Sequence, residues 1–201
     1  MFSRWILWNL FLAVIPVALA AILYWGLGGK SKTTRLPLLV NLLLAVAWLV
    51  FLPNTCYLLT EWRHLLLNPR WTPLIEGPDP QIMFSLARHA LFFLVYSASG
   101  VLLFVLSIRP LELWLRARGQ RFWLYAPFLF FFTSLGVYMG LIPRLNSWDI
   151  INRPKSVMNI AIHAFTDTKL LISISVFAVL LWMLYEAGDI WVEGVASRLK
   201  R

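Results

Sequence analysis

Charged residues are confined to short segments that separate five long apolar stretches of the chain. The stretches lie between positions 4 and 30, 35 and 61, 89 and 109, 121 and 144, and 169 and 186. A helix rises about 1.5 Å per residue, so roughly 20 apolar residues cross a hydrocarbon core about 30 Å thick. Four of the five stretches reach that length. The pattern predicts five membrane-spanning helices, at about residues 5–27, 36–52, 84–108, 122–142 and 170–185.

The composition supports a membrane environment independently of this pattern. Sixty per cent of the residues are apolar, only 13% are charged, and the mean hydropathy is +0.74. A soluble domain of this composition would expose large apolar patches, which soluble monomers avoid. No linker or low-complexity segment divides the chain. We therefore expect one all-α integral membrane domain over residues 1–201, a polytopic transmembrane helix bundle.

The net charge of +9 is better explained by membrane topology than by nucleic-acid binding. A nucleic-acid binder gathers its basic residues on one surface, whereas these lie at the ends of apolar stretches, so we expect no nucleic-acid partner. With five spans, one side carries Arg4, Arg63, Arg70, Arg144, Arg153, Lys155 and Lys169. The other side carries Lys30, Lys32, Arg35, Arg109, Arg116, Arg118, Arg121, Arg198, Lys200 and Arg201. The more basic side is expected to be cytoplasmic, with the N-terminus outside and the C-terminus inside a cell inner (plasma) membrane.

Polar and aromatic residues concentrate in the second and fourth connections, which share the outward face in this topology. Pro53 and Pro143 stand where helices two and four reach that face, and proline lacks the N–H that would continue a helix undisturbed. We expect short outward-facing helices in both connections. Together they form one candidate polar site, comprising Asn54, Tyr57, Glu61, His64, Arg144, Asn146, Ser147, Trp148 and Asp149.

Two motifs within residues 51–65 and 136–154 are specific enough to suggest a family. They are Pro53-Asn54-Thr55-Cys56-Tyr57-Leu58-Leu59-Thr60-Glu61 and Arg144-Leu145-Asn146-Ser147-Trp148-Asp149. Set among five apolar helices, they resemble the bacterial multi-pass membrane family catalogued as domain of unknown function 1361. The resemblance spans most of the chain, although family members more often carry Asp where this chain has Glu61. It implies a membrane location and a shared outer-face feature, and it implies no established activity.

A metal site is one alternative for part of this cluster. Glu61 and His64 stand at i and i+3, so one helix face would present both as ligands, with Asp149 or His163 completing the shell. Two ligands close in sequence are a weak signal, and the same spacing is typical of a solvated helix face. We therefore expect no metal ion.

The polar residues of the fourth connection also have a structural interpretation. Arg144 and Asp149 have the chemistry of an electrophile and an acid in a transferase, but an ion pair that joins the two connections is favoured. Asn54, Asn146 and Ser147 are expected to cap helix ends and to satisfy backbone groups that lack water. Both interpretations place these residues at one site.

Gly136 and Gly140 lie one turn apart in the fourth predicted helix. Small residues at this spacing allow a neighbouring helix to approach closely. Packing within the bundle is favoured over homodimer formation.

Three functional classes are consistent with these features. We favour a membrane protein of undetermined activity whose outer-face site binds a lipid headgroup or an envelope partner. The alternatives are a membrane-embedded enzyme that modifies lipid or envelope substrates, and a small-solute transporter or accessory subunit. The chain has no nucleophile elbow, glycine-rich phosphate loop or dinucleotide fingerprint, so no cofactor is expected and the question of an enzyme stays open. Membrane lipids are the expected partners, and the sequence does not indicate an oligomeric state.

Overall fold

The computed structural model describes residues 3–29, 35–62 and 79–199, and every regular element in these ranges is a helix. The α-helices are α1 (Ser3–Gly26), α2 (Leu38–Phe51), α3 (Pro53–Thr60), α4 (Pro80–Arg116), α5 (Ala126–Leu141), α6 (Asp149–Asn152), α7 (Pro154–Thr166) and α8 (Thr168–Arg198). A short 3-10 helix, Phe122–Leu124, precedes α5. The predicted all-α fold is confirmed for these residues.

The helices have the length and apolar surface of a membrane protein. Four helical segments in the described residues are long and apolar enough to cross a membrane: Arg4–Gly26, Leu38–Thr60, Pro80–Arg116 and Thr168–Arg198. Helix α5 is also apolar but has only 16 residues. Large apolar side chains such as Leu43, Phe128 and Ile172 stay exposed on the outside of the bundle. Lipid can cover such a surface, whereas soluble monomers rarely expose apolar patches of this size to water.

The packing defines two ends of the bundle. At one end, which we call the site end, the start of α1 lies beside the ends of α3 and α5 around a shared cavity. At the opposite end, Trp114 of α4 and Arg118 just after α4 donate hydrogen bonds to the Leu27 carbonyl just after α1, at 3.2 and 3.1 Å. Helices α1 and α4 therefore run in the same direction.

Helices α5 and α8 pack antiparallel along most of their length. The Ser134 hydroxyl donates to the Ile174 carbonyl at 2.7 Å. Further along, Phe130 stacks on Trp182 with ring centroids 6.0 Å apart. The buried Tyr185 lies beside Phe130 and thereby extends this aromatic contact into the core. The start of α5 is consequently at the opposite end and its last turn is at the site end.

Pro53 interrupts the second long apolar helical segment, Leu38–Thr60, without ending it. Leu52 separates α2 from α3 but keeps helical dihedral angles, φ −54° and ψ −41°. Proline is tolerated as the first residue of a new helix because its missing N–H is not needed there. The chain therefore continues as one apolar helical segment to Thr60.

The helices differ from the predicted ranges mainly at their ends. Helix α4 begins four residues before and ends eight residues after the predicted range 84–108, and α8 extends well beyond 170–185. Charged side chains end an apolar stretch, but they do not end a helix when they can pair or reach the membrane surface. Helix α3 occupies the start of the predicted second connection but continues the apolar segment Leu38–Thr60, whereas α6 and α7 lie in the fourth connection. Residues 63–78, which include His64, lie outside the described residues.

Candidate functional site

A cavity of about 260 Å³ lies at the site end, between α1, α3, the last turn of α5 and the turn that follows it. We call it the polar cavity. Seven of the nine candidate residues line it: Asn54, Tyr57, Glu61, Arg144, Asn146, Ser147 and Trp148. His64 lies outside the described residues. The fold therefore brings the two sequence motifs together around one space.

The polar motif residues satisfy the backbone where Pro53 interrupts the helix. Without the proline N–H, the hydrogen-bond ladder is broken, and nearby carbonyl groups need other donors. Three consecutive carbonyls receive side-chain donors: Val50 from Ser147 at 3.2 Å, Phe51 from Asn54 at 2.8 Å, and Leu52 from Thr55 at 2.8 Å. Asn54 also donates to the Ser147 hydroxyl at 2.9 Å. This network joins the turn after α5 to the start of α3.

Arg144 occupies an unusual backbone conformation in that turn. Its φ is +58°, in the left-handed region that favours glycine. The conformation reverses the chain after α5, so that the Leu145 N–H donates to the Met139 carbonyl at 3.0 Å. A side chain here costs roughly 1–2 kcal/mol relative to a right-handed conformation. The exposed Arg144 side chain is thus held at the cavity by a strained turn.

The predicted ion pair between Arg144 and Asp149 is wrong. Asp149 is buried and pairs with Arg153 instead, with Oδ1 and Nε 3.4 Å apart. Its other oxygen accepts the Asn146 N–H at 2.7 Å. Asp149 begins α6, so Arg153 lies one helical turn later on the same face. The hydrogen bond from the Asn146 N–H directs the Asp149 carboxylate towards the loop that precedes α6. Within the described part of the chain, Arg144 makes no ion pair.

Gly136 and Gly140 pack within the bundle, as their spacing predicts. A Cβ at Gly136 would overlap the ring of Pro53, and one at Gly140 would overlap the hydroxyl of Tyr57. Tyr57 also donates to the Gly136 carbonyl at 3.2 Å. The two glycines therefore allow α3 to lie directly against α5 and hold Tyr57 at the edge of the polar cavity.

The residues described do not assemble a metal site. Glu61 lines the polar cavity, whereas Asp149 is engaged with Arg153 and Asn146. Across residues 3–29, 35–62 and 79–199, no three His, Cys, Asp or Glu side chains lie close enough together to hold a metal ion. His64, which the alternative requires, is not among these residues.

Comparison with known protein families shows which family the chain belongs to. A family model described as "Protein of unknown function (DUF1361)" matches residues 8–184. The chain belongs to this family. No curated protein and no solved structure matches it. The suggested family is confirmed, and membership assigns no activity to the polar cavity.

The polar cavity of this DUF1361 member also includes α1, which the sequence motifs did not indicate. Trp8 and Asn9 both line it. Asn9 is a polar residue in an otherwise apolar predicted span, and this was the sequence feature that indicated a functional or packing role for it. Which motif it faces depends on how α1 packs, so the sequence could not assign it to this site.

A second group of charged residues lies at the opposite end of the bundle. Glu112 of α4 is only 3% exposed, and its carboxylate accepts a hydrogen bond from Tyr185 and pairs with Arg116 one turn later. Nearby, Arg109 of α4 pairs with Asp189 of α8. These contacts join α4 to α8. The spacing of Glu112 and Arg116 was readable from the sequence, whereas the contacts with α8 were not.

Proposed function

We propose that this DUF1361 member binds a phosphate-bearing lipid headgroup in the polar cavity, with Arg144 contacting the phosphate. The observation that carries the proposal is the left-handed backbone of Arg144. Glycine would adopt this conformation without the cost that arginine incurs. Strain of this kind clusters at ligand-binding positions, where the side chain itself is used.

The chemistry of the cavity suits such a ligand. A guanidinium group is planar and donates two parallel hydrogen bonds to a phosphate, and no protein carboxylate within the described residues pairs with Arg144. Trp8 and Trp148 are exposed at the cavity, and indole rings are typical of the headgroup level of a membrane. Because Glu61 lines the same space, a headgroup of low net charge fits better than a polyanion.

Replacing Arg144 separates binding from folding. We expect Arg144→Gln to lower the retention of phospholipid by the purified protein roughly tenfold or more, since a charge-assisted hydrogen bond contributes about 1.5–3 kcal/mol. Arg144→Gly should lose phospholipid equally, yet its stability should stay within about 1 kcal/mol of wild type, because relief of strain offsets the added chain flexibility. Native mass spectrometry measures the retained lipid, and melting in detergent measures the stability.

Lys155→Gln is the matched control for this experiment. Lys155 is an exposed basic residue on α7 that does not line the polar cavity, so its loss removes one positive charge without touching the proposed site. It should retain phospholipid as wild type does. Unchanged phospholipid retention in both Arg144 variants would overturn the proposal.

We further propose that α5 crosses the membrane as a fifth span, with the site end outside the cell. Helix α5 runs antiparallel to α8, and its 16 residues are extended by the 3-10 helix at Phe122–Leu124. In this topology ten Lys and Arg residues of the sequence fall at the opposite end and seven at the site end, with Arg88 within α4, so the positive-inside rule favours a cytoplasmic opposite end. Such a topology places the polar cavity at the outer surface of an inner (plasma) membrane.

Reporter fusions test this topology. Fusions after residues 32, 75, 118, 155 and 201 should report inside, outside, inside, outside and inside, because each pair of neighbouring positions is separated by one span. Paired reporters with opposite compartment requirements, such as alkaline phosphatase and a fluorescent protein, provide the internal control. The same location at residues 75 and 118, or at 118 and 155, would remove the corresponding span.

A further inference from the structure

A second cavity lies directly beside the polar cavity. It has a volume of about 240 Å³ and is lined mainly by apolar side chains of α2, α5 and the segment 145–157. Among these are Leu49, Leu135, Met139 and Val157. We call it the apolar cavity. Most of the residues that line it belong to neither sequence motif.

The two cavities share part of their walls. Tyr57, Leu145, Asn146 and Ser147 line both of them. These side chains form a wall common to the space beside Arg144 and the space beside Leu135 and Met139. A ligand with a polar part and an apolar part would place one part on each side of this wall.

The sizes also favour a ligand that spans both cavities. Pockets that hold a complete small molecule measure about 300–1,000 Å³, and each cavity alone lies below that range. The polar cavity suits a headgroup, and the apolar cavity suits several methylene groups, because its lining is as apolar as the lipid chains around the bundle. Bilayer lipids are the amphiphiles that surround these apolar helices.

We propose that the ligand is a membrane phospholipid whose acyl chain enters the apolar cavity while its phosphate contacts Arg144. This inference rests on the proposed headgroup binding and adds the ligand's class: a chain-bearing lipid and not a free phosphate or a water-soluble phosphate ester. The shared residues Tyr57, Asn146 and Ser147 then lie beside the region where headgroup and chain join. Ser147 and Asn54 fix this region through their hydrogen bond.

Photocrosslinking in vesicles tests where the chain lies. The probe is a phosphatidylethanolamine with a diazirine in its acyl chain, reconstituted with the full-length protein in phosphatidylcholine vesicles. In wild type, adducts should form on residues of the apolar cavity such as Leu135 and Met139. Adducts confined to lipid-facing positions outside the cavity, such as Leu43 and Val46, would overturn the inference.

Filling the apolar cavity should prevent these adducts. Val157→Phe places a ring in the space, and we expect the loss of most adducts on Leu135 and Met139, because the ring and the acyl chain cannot occupy the same volume. Ile150→Trp fills the same cavity from α6 and serves as a second variant if the first folds poorly. Met158→Phe is the matched control, because Met158 is exposed on the same helix and does not line the cavity.

Arg144→Gln distinguishes the chain inference from the proposed function. If it lowers adduct formation while Val157→Phe and Ile150→Trp behave like Met158→Phe, headgroup binding stands and the chain inference fails. If Arg144→Gln leaves adducts at the wild-type level, the proposed function fails, and the inference that rests on it fails too. Inorganic phosphate in excess should not displace the probe from wild type. Displacement would identify free phosphate as the ligand and overturn the inference.

Discussion

Gly100→Leu is expected to destabilise the protein by roughly 3 kcal/mol, at the upper end of the range for overpacking a tight interface. Gly100 lies in α4 where α3 crosses it. A Cβ at this position would stand 2.7 Å from the Leu58 Cβ and 3.0 Å from the Thr55 carbonyl oxygen. Backbone and Cβ atoms cannot move aside without moving the whole of α3. Melting in detergent, followed by loss of helical circular dichroism, measures the effect.

Two comparisons make this prediction specific. Gly140→Leu should cost less, about 1–3 kcal/mol, because it meets the end of the Tyr57 side chain and not a backbone. Gly194→Leu on α8 should leave stability unchanged or slightly higher, since a Cβ there meets no atom within 4 Å and leucine is the better helix former. Equal melting temperatures for the Gly100 and Gly194 variants would mean that α3 does not press against α4.

Arg109→Met is expected to lower stability by roughly 2–4 kcal/mol, because it leaves the Asp189 carboxylate buried without its cation. The two side chains are 19% and 12% exposed, so water compensates only partly for the lost partner. Methionine keeps most of the apolar stem, so the change reports the charge and not the packing. The measurement is again melting in detergent.

A double-mutant cycle identifies the pair as the cause. Arg109→Met combined with Asp189→Leu should recover a large part of the loss, since removing both charges of a buried pair is often nearly neutral. Arg198→Met, an exposed arginine on the same helix as Asp189, is the control and should change little. Additive losses in the double variant would show that Arg109 and Asp189 do not stabilise each other.

The same physics explains why the helix ends could not be predicted from the apolar stretches. Arg109 and Glu112 end an apolar stretch in the sequence, and a span was predicted to stop at residue 108. In the fold, both residues find partners on α8, so α4 continues to Arg116. The cost of a charge near lipid depends on the partner that the tertiary structure supplies. A sequence pattern shows the charged residue but not the partner that the fold gives it.

The polar cavity shows the same division between sequence and fold. The motif residues around Pro53 and Arg144 were predicted to lie together because prolines and polar side chains follow two of the predicted spans, and seven of the candidate residues line one cavity. The pairing within the site was not predictable, since Asp149 had both Arg144 and Arg153 within reach and the turn at Arg144 selected Arg153. Asn9 joined the cavity only through the packing of α1.

The sequence by itself determined that the chain is helical, that its helices are apolar enough to cross a membrane, and which family it belongs to. The length of the uncharged stretches, the positions of the prolines and the short motifs are local properties of the chain. Only the tertiary structure decided which charges pair, where Gly100 and Gly140 meet a neighbour, and that an apolar cavity adjoins the polar one. Those features depend on distances between residues far apart in the chain. Helix packing sets these distances, and no local pattern encodes them.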